Sequence, residues 1–137
     1  MAVGVHEFSH FYDLYVLVRK NGIDISDYFY DIAWEDTRII KASLNQRDFV
    51  SGYAMTNKYE DFAESYTYYV FHNSDFFKRS RESNILMQKY DFFSKYIFPN
   101  NEFLDGLLYS ASEPKNYYRD VTKISFSLEN FLQYLKN

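Results

Sequence analysis

His6-Glu7-Phe8-Ser9-His10, inside Met1-Ala-Val-Gly-Val-His-Glu-Phe-Ser-His-Phe-Tyr-Asp13, is the stretch on which the reading of this chain turns. It fits H-E-x-x-H. On a helix, residues four apart share a face, so the imidazoles of His6 and His10 can reach one ion. Zinc takes neutral imidazole nitrogen at about 2.0–2.1 Å and keeps a fourth position open for catalysis. Glu7 follows the first histidine by one residue and projects beside the metal rather than onto it. It is placed to take a proton from metal-bound water and return one to a leaving amine. The chemistry this pattern supports is metal-assisted hydrolysis of a peptide bond.

The helix carrying the motif is expected over residues 3–20. Val3, Phe11, Leu14, Tyr15 and Val18 fall close to helical spacing, and Asn21-Gly22 supplies a stop. Asp24 to Tyr30 reads as a polar, aromatic connector, a loop or a short helical turn. Ile32 to Ala42, anchored by Trp34, Ile39 and Ile40, reads as weakly helical or irregular. Ser43 to Asn57 contains Gly52 and reads as a loop with an ordered middle. Lys58 to Phe71 is strongly helical, with Phe62, Ala63, Tyr66, Tyr69 and Val70 on one apolar face.

A further helical stretch runs from about Ser74 to Ile97 in one or two pieces and is broken at Pro99-Asn100-Asn101. Beyond it, Glu102–Tyr109 is a helical candidate and Ser110–Pro114 a turn. Ile124–Phe126 could be a short strand. Ser127 is a plausible N-cap for a helix over Leu128–Leu135. The fold expected is mainly α, with little or no β-sheet: a core over 1–98 and a helical extension over 99–137 packed on it.

Composition bounds the rest. The chain has 137 residues, enough for one domain with a real core. Fifteen Tyr and fourteen Phe mean that much of this core is built from rings. A formal net charge of −4 argues against nucleic acid as a partner. The densest basic run, Lys78-Arg79-Ser80-Arg81, reads as a solvated helix face or end. The absence of cysteine excludes a disulfide scaffold and a thiolate metal site. No apolar run approaches the roughly 20 residues that span a bilayer, and no signal peptide is visible.

A catalytic zinc needs a third protein ligand, and several residues are candidates. Asp13 follows His10 by three residues without a glycine to bend the chain back, so it reads as a supporting or structural carboxylate. His72 ends a helix and reads as a surface or capping residue. The pair Glu60 and Glu64 lies one helical turn apart on another helix, flanked by residues that would bury it. Paired buried carboxylates without a cation are costly. One of the two can ligate while the other accepts the free N–H of a ligating histidine and fixes its tautomer.

Taken together, His6 to Asp13, Phe49-Val-Ser-Gly-Tyr-Ala-Met-Thr-Asn57 and Glu60-Asp-Phe-Ala-Glu-Ser-Tyr-Thr-Tyr-Tyr69 resemble the gluzincin metallopeptidases. Within that class they are most similar to the anthrax lethal factor catalytic domain, the clostridial Pro-Pro endopeptidases and related bacterial zinc peptidases. The resemblance covers about residues 3–75 and extends more weakly to Phe98. It implies Zn2+ on His6, His10 and Glu60, with Glu7 as general base and Glu64 behind a ligating histidine. It also implies that the Tyr53 hydroxyl steadies the oxyanion, on a peptide or protein substrate and in a secreted or cell-surface setting.

Two departures stand out. Ser9 replaces a glycine common in relatives. Relatives also carry a small sheet before the motif helix that aligns substrate by strand addition, and nothing before Val3 supplies one. The expectation is therefore a zinc endopeptidase, or alternatively a metal-binding, catalytically incomplete domain or fragment that acts in protein interaction. An upstream segment of a longer chain would complete it.

Overall fold

The computed structural model describes residues 1–17, 24–100, 102–103, 118–126, 128 and 132. Among these, helices dominate and the only sheet is a two-stranded hairpin. The expected stop at Asn21-Gly22, the turn at Ser110–Pro114, nearly all of Glu102–Tyr109 and most of Ser127–Leu135 lie outside the described residues.

Helix α1 spans Ala2–Phe11 and continues as one wider, π-helical turn over Tyr12–Val16. Its buried face is not the expected one. Ala2, His6, Ser9, Asp13 and Leu17 are buried, while Val3, Phe11, Leu14 and Tyr15 are exposed. The apolar spacing therefore marks the outer face, and the inner face carries the polar His6, Ser9 and Asp13. Ser9 donates to the His6 carbonyl at 2.6 Å, the back-bond that a buried helical serine uses to satisfy its hydroxyl.

Asp24 to Tyr30 is not a connector. Helix α2 runs Ile25–Ala33, capped by Asp24, whose carboxylate accepts from Ser26 N–H at 3.0 Å. Ile32–Ala42 is helical only at Ile32 and Ala33, where α2 ends. After α2, strands β1 (Trp34–Asp36) and β2 (Ile39–Ile40) pair antiparallel around Thr37-Arg38.

Helix α3, Lys58–Phe71, is the centre of the molecule. Asn57 caps it by accepting from Tyr59 and Glu60 N–H at 2.9 Å each. Every residue from Asp61 to Phe71 is buried, and α1, α2, α4 and α5 all pack against it. Helices α4 (Asn73–Ser80) and α5 (Asn84–Phe92, extended by a π-helical turn over Phe93–Ile97) resolve the long helical stretch into two pieces. The expected ring-built core is present. Phe29, Phe62, Phe92 and Phe93 meet at centroid separations of 5.3–6.1 Å, within the range where edge-on and tilted pairs are favourable.

The loop before α3 is held from both sides. Lys89 and Asp61 form a fully buried ion pair at 2.8 Å. Trp34 Nε1 donates to Asp61 at 2.9 Å and Lys89 donates to the Asp48 carbonyl at 3.1 Å. Such a pair is tolerable in the interior because each charge has further partners. Arg79 is not part of a solvated basic face. Its guanidinium donates to the carbonyls of Phe49 and Val50, both at 2.9 Å, whereas Lys78 and Arg81 are exposed.

Residues 118–126 return to this core. Val121 is fully buried and Phe126 stacks on Phe71 at 4.4 Å. Ile124–Phe126 forms no strand, and a 3-10 turn covers Val121–Lys123 just before it. No helix among the described residues is long and apolar enough to cross a membrane.

Of the surface and capping positions expected for His72, the structure shows the second: it ends α3 and precedes α4, but it is buried and its side chain makes no cap hydrogen bond. Burial lowers it to about 4. Above the ordinary value of about 6.5 the folded and unfolded chains both keep His72 neutral, so it contributes no pH dependence there. Between about pH 6.5 and 4 only the unfolded chain takes the proton, so stability falls, by roughly 3 kcal/mol in all. Urea titrations at pH 7.5 and 4.5 should show a smaller acid loss for His72→Gln than for the parent; equal losses would contradict this account.

Candidate metal centre

The centre forms where α1 crosses the first two turns of α3. The helical spacing of four puts His6 and His10 on one face of α1 and Glu60 and Glu64 on one face of α3. His6 Nε2 lies 3.1 Å from Glu60 Oε2, and His10 Nε2 lies 3.4 Å from the same oxygen. Ligand atoms from His6, His10 and Glu60 all fall within 4.8 Å of one another, a grouping that could hold an ion. A tetrahedral zinc with ligands at about 2.0 Å has neighbouring ligands ~3.3 Å apart. The two measured edges bracket that value, so the donor set fits zinc in type and in spacing.

Electrostatics agree. Burial works against a protonated His6, but Glu64 and then Glu60 outweigh it and hold the imidazole above its usual value. A pocket that favours positive charge on its histidine favours a cation generally.

Glu64 lies behind His6, fully buried. Its Oε1 is 3.0 Å from His6 Nδ1, an ion-pair distance without the alignment of a hydrogen bond. A small rotation of the ring changes the angle and not the neighbour. The other oxygen is pinned: Ser51 Oγ donates to Oε2 at 2.6 Å and the Val121 amide at 2.8 Å. Sequence reasoning missed both donors. Ser51 stands inside a quoted motif but looks like any loop serine, and a backbone amide 57 residues from its acceptor leaves no mark in sequence.

Tyr53 sits on a short 3-10 turn, Tyr53–Met55, half exposed, with its ring 6.1 Å from that of His6. The Glu60 carboxylate, followed by burial and then Glu64, raises its phenol above the usual value, so the hydroxyl keeps its proton and can donate. Glu7 is exposed, turned about 100° around α1 from His6, and its charge also acts on the Tyr53 phenol. Glu7 and Tyr53 are both open to solvent.

Asp13 is not brought into the ligand cluster. It is buried and accepts from the hydroxyls of Ser26 and Tyr30, tying the end of α1 to α2. Burial raises its carboxyl above the usual range, against the pull of Ser26 and Tyr30. His72, twelve residues beyond Glu60 on α3, is about 18 Å away along the helix axis and takes no part.

A family described as "Putative zinc-binding metallo-peptidase" matches residues 2–103, and the chain belongs to that family. Zinc is thus its metal and a peptide or protein its substrate class. No curated protein and no solved structure matches the chain.

Purified protein should retain about one zinc per chain. Glu60→Ala removes the carboxylate common to both short edges and should weaken zinc by more than about a hundredfold, beyond the usual cost of losing a supporting contact. Metal analysis after dialysis against a zinc buffer checks this; full occupancy in the variant would remove Glu60 from the ligand set.

Proposed function

We propose that the chain is the catalytic core of a zinc endopeptidase of the gluzincin type, akin to the anthrax lethal factor and Pro-Pro endopeptidase group. The observation that carries the reading is the convergence of His6, His10 and Glu60 at tetrahedral-edge spacing, with Glu64 against the far side of the His6 ring.

In this reading His6, His10 and Glu60 hold the metal, and Glu64 fixes the His6 tautomer so that Nε2 faces it. Bound zinc supplies Lewis acidity, polarising the scissile carbonyl and acidifying a water. Glu7 takes the proton of that water as it attacks, and passes a proton to the departing amine. The Tyr53 hydroxyl donates to the oxygen on which negative charge develops. Both side chains are exposed, as groups that meet a substrate must be.

A second reading is a zinc-binding interaction domain without turnover. It draws on the exposed rings of Phe8, Phe11 and Tyr15, which contact one another in a row along α1. Turnover separates the two.

Glu7→Gln should keep its zinc and lower kcat by about 10²–10⁴. Tyr53→Phe should keep its zinc and lose about 10² in kcat. A peptide-library cleavage assay on zinc-loaded protein reads both. Undiminished cleavage by Glu7→Gln would rule that residue out as the base, and a zinc-loaded parent that cleaves nothing in the library would favour the interaction reading.

A further inference from the structure

The family match ends at residue 103, yet three backbone groups beyond it reach the centre. Ser51 pairs with Tyr118 in an isolated parallel bridge. Gly52 N–H donates to the Tyr118 carbonyl at 2.7 Å and Tyr53 N–H to the Arg119 carbonyl at 2.8 Å. Two residues later the Val121 amide donates to Glu64 Oε2 at 2.8 Å. Asp120 shapes the turn that aims this amide. It is extended, at φ −150° and ψ 117°, and its side chain accepts from Thr122 N–H at 2.9 Å and from the Thr122 hydroxyl at 2.6 Å.

We propose that residues 118–121 are a positioning element of the metal centre, which fixes Glu64 through the Val121 amide and the Tyr53 turn through the carbonyls of Tyr118 and Arg119. The inference rests on the zinc reading above and adds to it a part of the chain that the family match does not include.

The physical case is one of satisfaction and rigidity. Glu64 is fully buried, and a buried carboxylate must have its lone pairs occupied. One oxygen is directed at His6 and the other takes two donors, Ser51 Oγ and Val121 N–H. Ser51 Oγ in turn accepts from Ala54 N–H at 3.1 Å, inside the Tyr53 turn. A connected set of hydrogen bonds thus runs from the Tyr53 turn through Ser51 to Glu64, whose other oxygen is in ion-pair contact with His6, and 118–121 closes it on the outside. Undocking this segment frees the Glu64 carboxylate to rotate away from His6 and loosens the turn that carries the phenol. Zinc affinity and kcat should fall together.

The position permits a pointed test. Proline lacks the N–H, suits the first residue of a helical turn and requires an extended residue before it, which Asp120 already is. In Val121→Pro the ring also takes the space of the amide hydrogen, so the Glu64 carboxylate must move. Val121→Ala keeps the amide and instead leaves a cavity in the core, which lowers stability alone. Zinc dissociation constants are measured by competition with a chromophoric chelator, on the full chain and at a temperature where circular dichroism shows each variant folded.

The expected result is affinity weakened about tenfold or more in Val121→Pro and changed less than about twofold in Val121→Ala. Equal affinities in Val121→Pro and the parent, or equal losses in the two variants, overturn the proposal. Should Val121→Pro not fold, Asp120→Ala, which only loosens the turn, decides: several-fold weakening supports the proposal and parental affinity overturns it. A parent chain that binds no zinc would instead defeat the metal reading itself.

Discussion

The rest of this structure depends on the contact between α1 and α3 at His6, where one imidazole lies between two glutamates. Glu60 approaches its Nε2 and Glu64 its Nδ1. Neither carboxylate would be stable so close to a buried ring without positive charge to share. The two helices meet in a polar seam of His6, His10, Glu60 and Glu64, a grouping that could hold a cation. The inner face of α1 carries the buried His6, Ser9 and Asp13, and Phe8, Phe11 and Tyr15 lie on the outer side.

Around that seam the fold supplies rigidity where chemistry needs it. Helix α3 is buried along nearly its whole length and cannot shift without disturbing the ring core. The loop that carries Tyr53 would be mobile if it relied on its own contacts. Instead Lys89 and Arg79 anchor its start through the carbonyls of Asp48, Phe49 and Val50. Ser51 anchors its middle through Glu64. The phenol is thereby carried on a fixed turn while its ring stays half exposed.

The sequence was most legible where a short pattern has one physical meaning. The two histidines four residues apart, and the glutamates four apart on a strongly helical segment, correctly indicated two helix faces that meet. The limits of α3 followed from its apolar face, while the helical stretch beyond it was legible without its division into α4 and α5. Helix α2 was hidden because two of its buried positions, Ser26 and Tyr30, are polar. They face inward only because Asp13 accepts from both. The hairpin at Trp34–Ile40 was hidden because strands of two and three residues are too short to alternate. Arg79 looked like one member of a basic run, and only the fold shows that it turns inward. The Val121 amide has no signature at all: a backbone donor is the same at every residue, and its partner is set by topology.

The central claim is that His6, His10 and Glu60 bind one zinc directly. X-ray absorption at the zinc edge of the loaded chain tests this most directly. The account predicts two imidazole nitrogens and oxygen ligands at about 2.0–2.2 Å, four in total, with one imidazole contribution lost in His10→Ala and none lost in His72→Gln. A spectrum with only water and carboxylate oxygen around the metal, or one unchanged by His10→Ala, would contradict it.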